Sequence, residues 1–369
     1  MSFLSKLSKR SRTPSPPKQS QSAHSADMTI QVEYRQLGKS GLRISVPILG
    51  CMGFGTPQWM PWVLPEDKAL PIMKAAWDAG INTFDTANMY SNGVGERVVA
   101  AFLSKYSIPR KDVVILDKVC YLTTPDDISV IGTVRPDLLK TKKYVNKAGL
   151  SRLAIFTEVA ASLERLGTDY VDLMQIHDWD STVPVEETMR AFNDLVVAGK
   201  ILYIGASNMK AWQVGELNAV AERHGWSQIV SIQVEHSLLY RPHEVETMAH
   251  ALYKGIGVLT FAPLNDGNLA RALGTRTQRT AILEGTPFEK KPRPSDEEII
   301  KRVQQTATKH GWTMPQVALA WSATKATSPI VGASSLLHLE QNLFTGKALT
   351  GEEIKHLEEP YEIRGYRWG

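Results

Sequence analysis

Three stretches decide how this chain reads: INTFDTANMY (81–90), DVVILDK (112–118) and YVDLMQIH (170–177). Each contains a short, mostly apolar run of strand length, and each run ends on a residue that can carry chemistry: Asp85, Lys118 or His177. Apolar runs of roughly 4–8 residues bounded by polar positions read as strands buried on both faces. Working outward, five more such runs occur at PILGC (47–51), ILYIGASN (201–208), IVSIQVE (229–235), GVLTFAPL (257–264) and SPIVGAS (328–334).

Between these runs lie stretches with helical periodicity: Pro65 to Gly80, Gly95 to Tyr106, Arg152 to Leu166, Pro184 to Ala198, Lys210 to His224 and Pro242 to Lys254. Strands that alternate with helices must pair in parallel through crossovers, and eight such units are the number that closes a barrel. A doubly wound open sheet competes with this, but no strand runs into a GxGxxG turn with an acid about 20 residues on. The expected fold is therefore an α/β (β/α)8 TIM barrel. Val32 to Ser45 alternates around Gly38-Lys39-Ser40-Gly41 and reads as a β-hairpin ahead of it. The stretches Cys120 to Ser151 and Asn265 to Ser295 are too long for simple connections, so they are expected to be long loops at the carboxyl face, where barrels of this kind place their active sites.

The formal charge of +4 is concentrated at the amino end. Lys6, Lys9, Arg10, Arg12 and Lys18 meet no acid before Asp27, which leaves the rest of the chain at −1. Residues 1–30 are expected to be a disordered, basic, Ser/Pro-rich tail, and residues 31–369 the barrel. A basic, Ser-rich, acid-free start also fits an organellar transit peptide. The tail has no aromatic interleaving or recognised module, so it gives no support to nucleic-acid binding. No apolar run approaches the ~18 residues of a membrane span. Cys51 and Cys120 have neither a CxxC partner nor a His at metal-ligand spacing, so no metal is expected and a reducing, cytoplasmic home is.

In a barrel, Asp85, Lys118 and His177 would stand at the ends of adjacent strands, with Tyr90 in the loop five residues past Asp85. Each alone has an ordinary structural reading as a turn cap, a surface charge, a packed ring or a satisfied polar group. Together they make a proton-transfer device. Reducing a carbonyl requires a proton at oxygen, and a phenol with pKa ~10 is poorly matched to a reaction near neutrality. Lys118 is expected to lower the pKa of Tyr90, Asp85 to keep Lys118 charged, and His177 to hold the substrate oxygen.

The motifs GINTFDTANMYSNGVGE, DVVILDK, TDYVDLMQIHDWD, YIGASN, IQVEHSLLYR and PIVGASSLLHLEQN, in this order, resemble the aldo-keto reductase superfamily from about Tyr34 to Tyr361. The NGVGE loop and GLSRLAIFTEVAASLERLGTDYVDL look like the branch of aryl-alcohol dehydrogenase-like and versiconal hemiacetal acetate reductase-like enzymes. The resemblance implies a catalytic tetrad of Tyr90, Lys118, Asp85 and His177. Asp117 stands where Thr or Ser usually precedes the lysine, and alternation along the strand should turn it away from Lys118.

The same resemblance implies that Ser207, Asn208 and Gln233 bind a nicotinamide carboxamide. It further implies that the segment containing Leu264, Gly267, Leu269 and Arg271 binds the pyrophosphate, and that Gly332, Ser334, Ser335, Gln341 and Asn342 bind the adenosine end. The cofactor implied is NADPH, with NADH as the alternative, because the segment facing the 2′-phosphate carries serines and His338 where a fixed cation is usual. Trp59, Trp62, Tyr121 and Trp179 are candidates for the walls of an aromatic or apolar substrate pocket. The function implied is reduction of an aldehyde or ketone on a small metabolite, reversible as an alcohol dehydrogenase. A cofactor-binding regulatory subunit with little turnover is the rival reading.

Overall fold

The computed structural model describes residues 32–275, 281–282, 284–286 and 292–367; the expected tail lies outside them. Two short strands, β1 (Glu33–Gln36) and β2 (Arg43–Val46), pair antiparallel, and Leu37 N donates to Leu42 O across the turn at 2.8 Å. The remaining eight, β3 (Ile48–Gly50), β4 (Thr83–Asp85), β5 (Val114–Val119), β6 (Val171–Ile176), β7 (Ile201–Ser207), β8 (Ile229–Glu235), β9 (Gly257–Phe261) and β10 (Ser328–Val331), form a closed, parallel barrel. Closure between β10 and β3 excludes the open-sheet alternative.

The hairpin plugs the amino end. Leu37 and Ile44 pack with Ile48, Leu116, Leu173 and Leu259, which point inward from the barrel wall. Its turn sits so close to the start of β9 that a Cβ on Gly38 would lie 2.4 Å from Gly257 N, so only glycine fits there, at φ 57°.

Helices α1 (Glu66–Asp78), α2 (Val94–Lys105), α3 (Arg152–Leu166), α4 (Val185–Val197), α5 (Ala211–His224) and α6 (Thr247–Lys254) cross over between successive strands. They bury Met73, Phe102, Val159, Phe192 and Leu217 against the outer barrel wall in one apolar cluster. Helix α3 shows how these elements start and stop: the Ser151 hydroxyl accepts from Ala154 N, and Gly167 ends the helix in the left-handed conformation.

Between β9 and β10 the described residues include helices α7 (Pro294–His310) and α8 (Met314–Lys325). After β10 come α9 (Leu336–Asn342) and α10 (Gly351–Glu358). Helix α7 packs on α8 and α10 through Ile299, Val303, Trp321 and Leu357. The described part of Cys120 to Ser151 contains only single-turn 3-10 segments at Gly132–Val134 and Pro136–Lys140, in keeping with a long loop. No helix among the described residues is long and apolar enough to cross a membrane.

Candidate active site

Asp85 ends β4, Lys118 is the penultimate residue of β5 and His177 follows β6, so all three reach the carboxyl face of the barrel. The Lys118 ammonium donates to Asp85 Oδ1 at 2.5 Å, to Thr86 O at 2.8 Å and to Tyr90 OH at 3.2 Å. Its three protons are thereby committed. Because the Tyr90 oxygen accepts from Lys118, the phenol's own proton is left to point elsewhere. His177 meets the Tyr90 ring edge-on, with centroids 6.1 Å apart.

The electrostatics follow from burial. Asp85, Lys118, Tyr90 and His177 are all less than 9% exposed. Burial works against the ammonium, but Asp85 and the Tyr90 oxygen outweigh it and hold the Lys118 pKa above its ordinary value. His177 is pushed well below its ordinary value, first by burial and then by Lys118, and is a neutral imidazole with one N–H to give. Tyr90 departs from the sequence expectation. Lys118 does lower it, but burial dominates and Asp85 adds to it, so the net shift is upward. The phenol is held protonated, which is the form a proton donor needs.

Tyr90 stands on an unusual turn. Ser91 and Asn92 are both left-handed at φ 51°, and Gly93 follows at φ 92°. Non-glycine residues hold that conformation only when their surroundings impose it. Ser91 Oγ accepts from Thr56 N at 3.2 Å. Gly93 leaves room for Arg165, whose Cδ would lie 2.5 Å from any Cβ there. Arg165 in turn pairs with the fully buried Glu96 of α2. The NGVGE run is thus a mount for the tyrosine.

Asp117 lies on the helix side of β5, buried, with no side-chain hydrogen-bond partner among the described residues and, of backbone groups, only the Lys118 N–H to favour its charged form. Burial, followed by the Glu96 carboxylate, holds its carboxyl well above the usual range against the pull of Arg165 and Lys118. A raised folded-state pKa means that the native state holds a proton the unfolded chain has already lost, so stability falls as pH rises above the ordinary carboxyl range. Asp117→Thr replaces the buried carboxyl with a smaller, uncharged hydroxyl. It should stabilise the fold by about 1–2 kcal/mol at neutral pH, the scale of an unsatisfied buried group, and by less near pH ~4. Urea unfolding at the two pH values measures this.

Two glutamines complete the site. Asp85 Oδ2 accepts from Gln233 Nε2 at 2.8 Å and Gln175 Nε2 at 3.2 Å, and Gln233 also donates to Gln175 Oε1 at 3.0 Å. Sequence reasoning missed Gln175. The available signal was parity: Leu173, Gln175 and His177 alternate onto the inward face of β6, and an inward polar residue in an apolar strand needs a partner.

Ser207 ends β7 beside Gln233 of β8, and Asn208 follows in the left-handed conformation at φ 54°. Asn208 Nδ2 donates to His177 O at 3.1 Å, while its buried Oδ1 has no hydrogen-bond partner among the described residues. An inward acceptor of that kind is what a carboxamide N–H requires. In the loop after β9, Leu264 is followed by Asn265 (φ 46°), Asp266 (φ 57°) and Gly267 (φ 95°). A right-handed to left-handed step of this kind forms an anion-binding concavity. Leu269 is fully buried and anchors the loop to the core.

Arg271 lies against Gly267, where a Cβ would approach Nη1 to 2.6 Å. Its charge also lowers the pKa of His338, a smaller effect than burial. His338 is hydrogen-bonded to Ser334 at 2.9 Å, and Ser335 caps α9. Arg271 thus acts electrostatically on His338, the residue hydrogen-bonded to Ser334. Gly332 and Ser334 are exposed and Gln341 is half-buried on α9. Asn342 turns inward to donate to Gly332 O at 3.1 Å. These groups fit a dinucleotide laid from β7 to α9.

On the substrate side, Trp59, Val63, Ala87 and Tyr90 form one apolar cluster, with Trp62, Met89, Ile128 and Ile131 packed against it. Tyr121 lies edge-on to His177 at 4.8 Å and donates to Asp178 Oδ2 at 2.6 Å. Trp179 is one step removed and packs on Trp212 of α5. The last described residues reach the same face: Arg367 pairs with Glu235 at the end of β8 and stacks over Tyr240.

Residues 48–362 match the Aldo/keto reductase family model. An aldo-keto reductase of Fusarium vanettenii is 44% identical over 353 residues, covering 93% of this chain and 95% of its own. The versiconal hemiacetal acetate reductase of Aspergillus parasiticus is 43% identical over 335 residues, 89% of this chain and 97% of its own. A Schizosaccharomyces pombe protein carrying a provisional aryl-alcohol dehydrogenase name is 42% identical over 343 residues, 89% of this chain and 95% of its own. With the closed eight-stranded barrel, these matches mean that the chain belongs to the aldo/keto reductase family, oxidoreductases acting on carbonyl and alcohol groups of small molecules.

Proposed function

We propose that the chain is an NADPH-dependent reductase of an aldehyde or ketone on a small aromatic or apolar metabolite, reversible as an alcohol dehydrogenase, in secondary metabolism. The observation that carries this reading is the buried Asp85–Lys118–Tyr90 chain, in which the tyrosine oxygen accepts from the ammonium and its own proton is left for a substrate. The name of the Aspergillus parasiticus relative, a reductase of versiconal hemiacetal acetate, supports the metabolite class.

A bound reduced nicotinamide supplies the hydride to the carbonyl carbon. Tyr90 gives its proton to the carbonyl oxygen, and Lys118 stabilises the phenolate left behind. Asp85 keeps that lysine charged, and the two glutamines on its second oxygen keep Asp85 in place. Neutral His177 donates a hydrogen bond to the same carbonyl oxygen and sets its angle. Asn208 Oδ1, Ser207 and Gln233 orient the carboxamide, and the loop from Leu264 to Leu269 receives the pyrophosphate. Trp59, Trp62 and Tyr121 exclude water from the reacting centre, with Trp179 behind them.

Arg271 is the cation for the 2′-phosphate, acting with Ser334, Ser335 and His338. Arg271→Ala should weaken NADPH binding about tenfold to a hundredfold, the scale of a lost charge-assisted hydrogen bond, with much less effect on NADH. Titration of protein fluorescence with each cofactor measures it. The direct test of the reading is oxidation of NADPH by purified protein given a panel of aromatic aldehydes. Tight NADPH binding without turnover across such a panel would favour a regulatory role instead.

A further inference from the structure

Asn92 makes a set of contacts that the reaction above does not use. It is 3% exposed and left-handed at φ 51°, and its side chain leaves the Tyr90 turn for the long loop after β5. Its Nδ2 donates to Ile128 O at 3.1 Å and to Val130 O at 2.7 Å, and its Oδ1 accepts from Thr124 N at 3.0 Å. One amide thus saturates three backbone groups of a loop that has no helix of its own to order it. The loop closes on itself as well: Thr124 Oγ1 donates to Asp127 O at 3.0 Å, and Asp127 Oδ1 accepts from the Ser129 hydroxyl at 2.6 Å.

That tie presents two apolar side chains to the candidate site. Ile128 and Ile131 are half-buried and pack against the cluster of Trp59, Val63, Ala87 and Tyr90. Ile128 also lines a cleft of about 520 Å³ on its outer side, together with Gln58 and the segment from Pro125 to Ser129.

We propose that Asn92 is a positioning residue that fixes Ile128 and Ile131 as the specificity-determining wall for a carbonyl compound with an extended apolar group. The inference rests on the reductase reading and names its substrate class. An unanchored loop would have to be ordered by the substrate itself, so only substrates long enough to touch the isoleucines would bear that entropic cost.

The test uses two aldehydes, propanal, which reaches only the tyrosine, and naphthaldehyde, which extends to the wall. Asn92→Gly keeps the left-handed backbone available and removes the side chain that makes the three hydrogen bonds; Ile128→Ala cuts back one of the two wall residues. Each should lower the ratio of kcat/KM for naphthaldehyde over propanal about tenfold, mainly through KM. The double variant should lose more than Ile128→Ala alone but less than the product of the two single losses, since both variants act in part through Ile128. NADPH affinity, read by fluorescence quenching, should stay within about twofold of wild type. Equal loss on both aldehydes, or an unchanged ratio, would overturn the proposal, because a merely structural role at the Tyr90 turn predicts the first and an uninvolved loop the second. If the wild-type protein reduces neither aldehyde, the reductase reading fails first.

Discussion

Tyr90→Phe should lower kcat for carbonyl reduction by a factor of about 10²–10⁴, the contribution typical of a positioned general acid, while NADPH affinity is retained. The substitution removes one oxygen from a well-defined place. The ring remains to pack against Trp59 at 6.4 Å and His177 at 6.1 Å. Lys118 keeps Asp85 and Thr86 O as partners and loses only its third acceptor. The cofactor candidates lie on β7, β8 and the loops beyond, away from the phenol oxygen. Kinetics and a cofactor titration on the same preparation separate the two effects, and a loss smaller than about tenfold would assign the proton to another group. Because burial holds the phenol protonated, the wild-type reduction rate should be flat through neutral pH and fall only in alkali, where the donor is lost.

Lys118→Met should be the most damaging single change to stability, costing about 3–5 kcal/mol in urea unfolding as well as abolishing turnover. The pair it breaks is almost completely buried, with side chains 1% and 4% exposed. Removing the ammonium strands the Asp85 carboxylate against two glutamine amides, whose hydrogen bonds at 2.8 and 3.2 Å offset only part of the lost solvation. The double variant Asp85→Asn with Lys118→Met removes both charges. It should recover much of the stability and none of the activity. If the single variant were as stable as wild type, water would have to reach Asp85, and the tetrad would not be the dry site that the proton-transfer reading requires.

The barrel was legible because its evidence is local. The runs at 81–85, 112–118 and 170–177 contain β4 and most of β5 and β6, because strands covered on both faces need unbroken apolar residues and because the helices between them need a 3.6-residue period. The hairpin was legible for the same reason, through its glycine-rich turn. Asp85, Tyr90, Lys118 and His177 could be read as a set, because a parallel barrel puts the ends of neighbouring strands side by side whatever fills its loops.

What remained hidden are contacts between segments far apart in the chain. Gln175 and Gln233 reach Asp85 across 90 and 148 residues. Asn92 seizes a loop more than 30 residues away. Arg271 acts on His338 through its charge, which no spacing in the sequence announces. The upward net shift at Tyr90 also required the fold, since the sequence could name the lysine that lowers it but not the burial that wins.

By itself, then, the sequence determined that eight strands alternate with helices and that a phenol, an ammonium, a carboxylate and an imidazole meet at their ends. Periodicity and strand parity are properties of neighbouring residues, and these two conclusions need nothing more. Only the tertiary structure decided that the phenol stays protonated, that the Asp117 carboxyl is buried and held above its ordinary range, and that the charge of Arg271 is felt at His338. Solvation and Coulomb energies depend on what surrounds a group in space, and chain order does not carry that information.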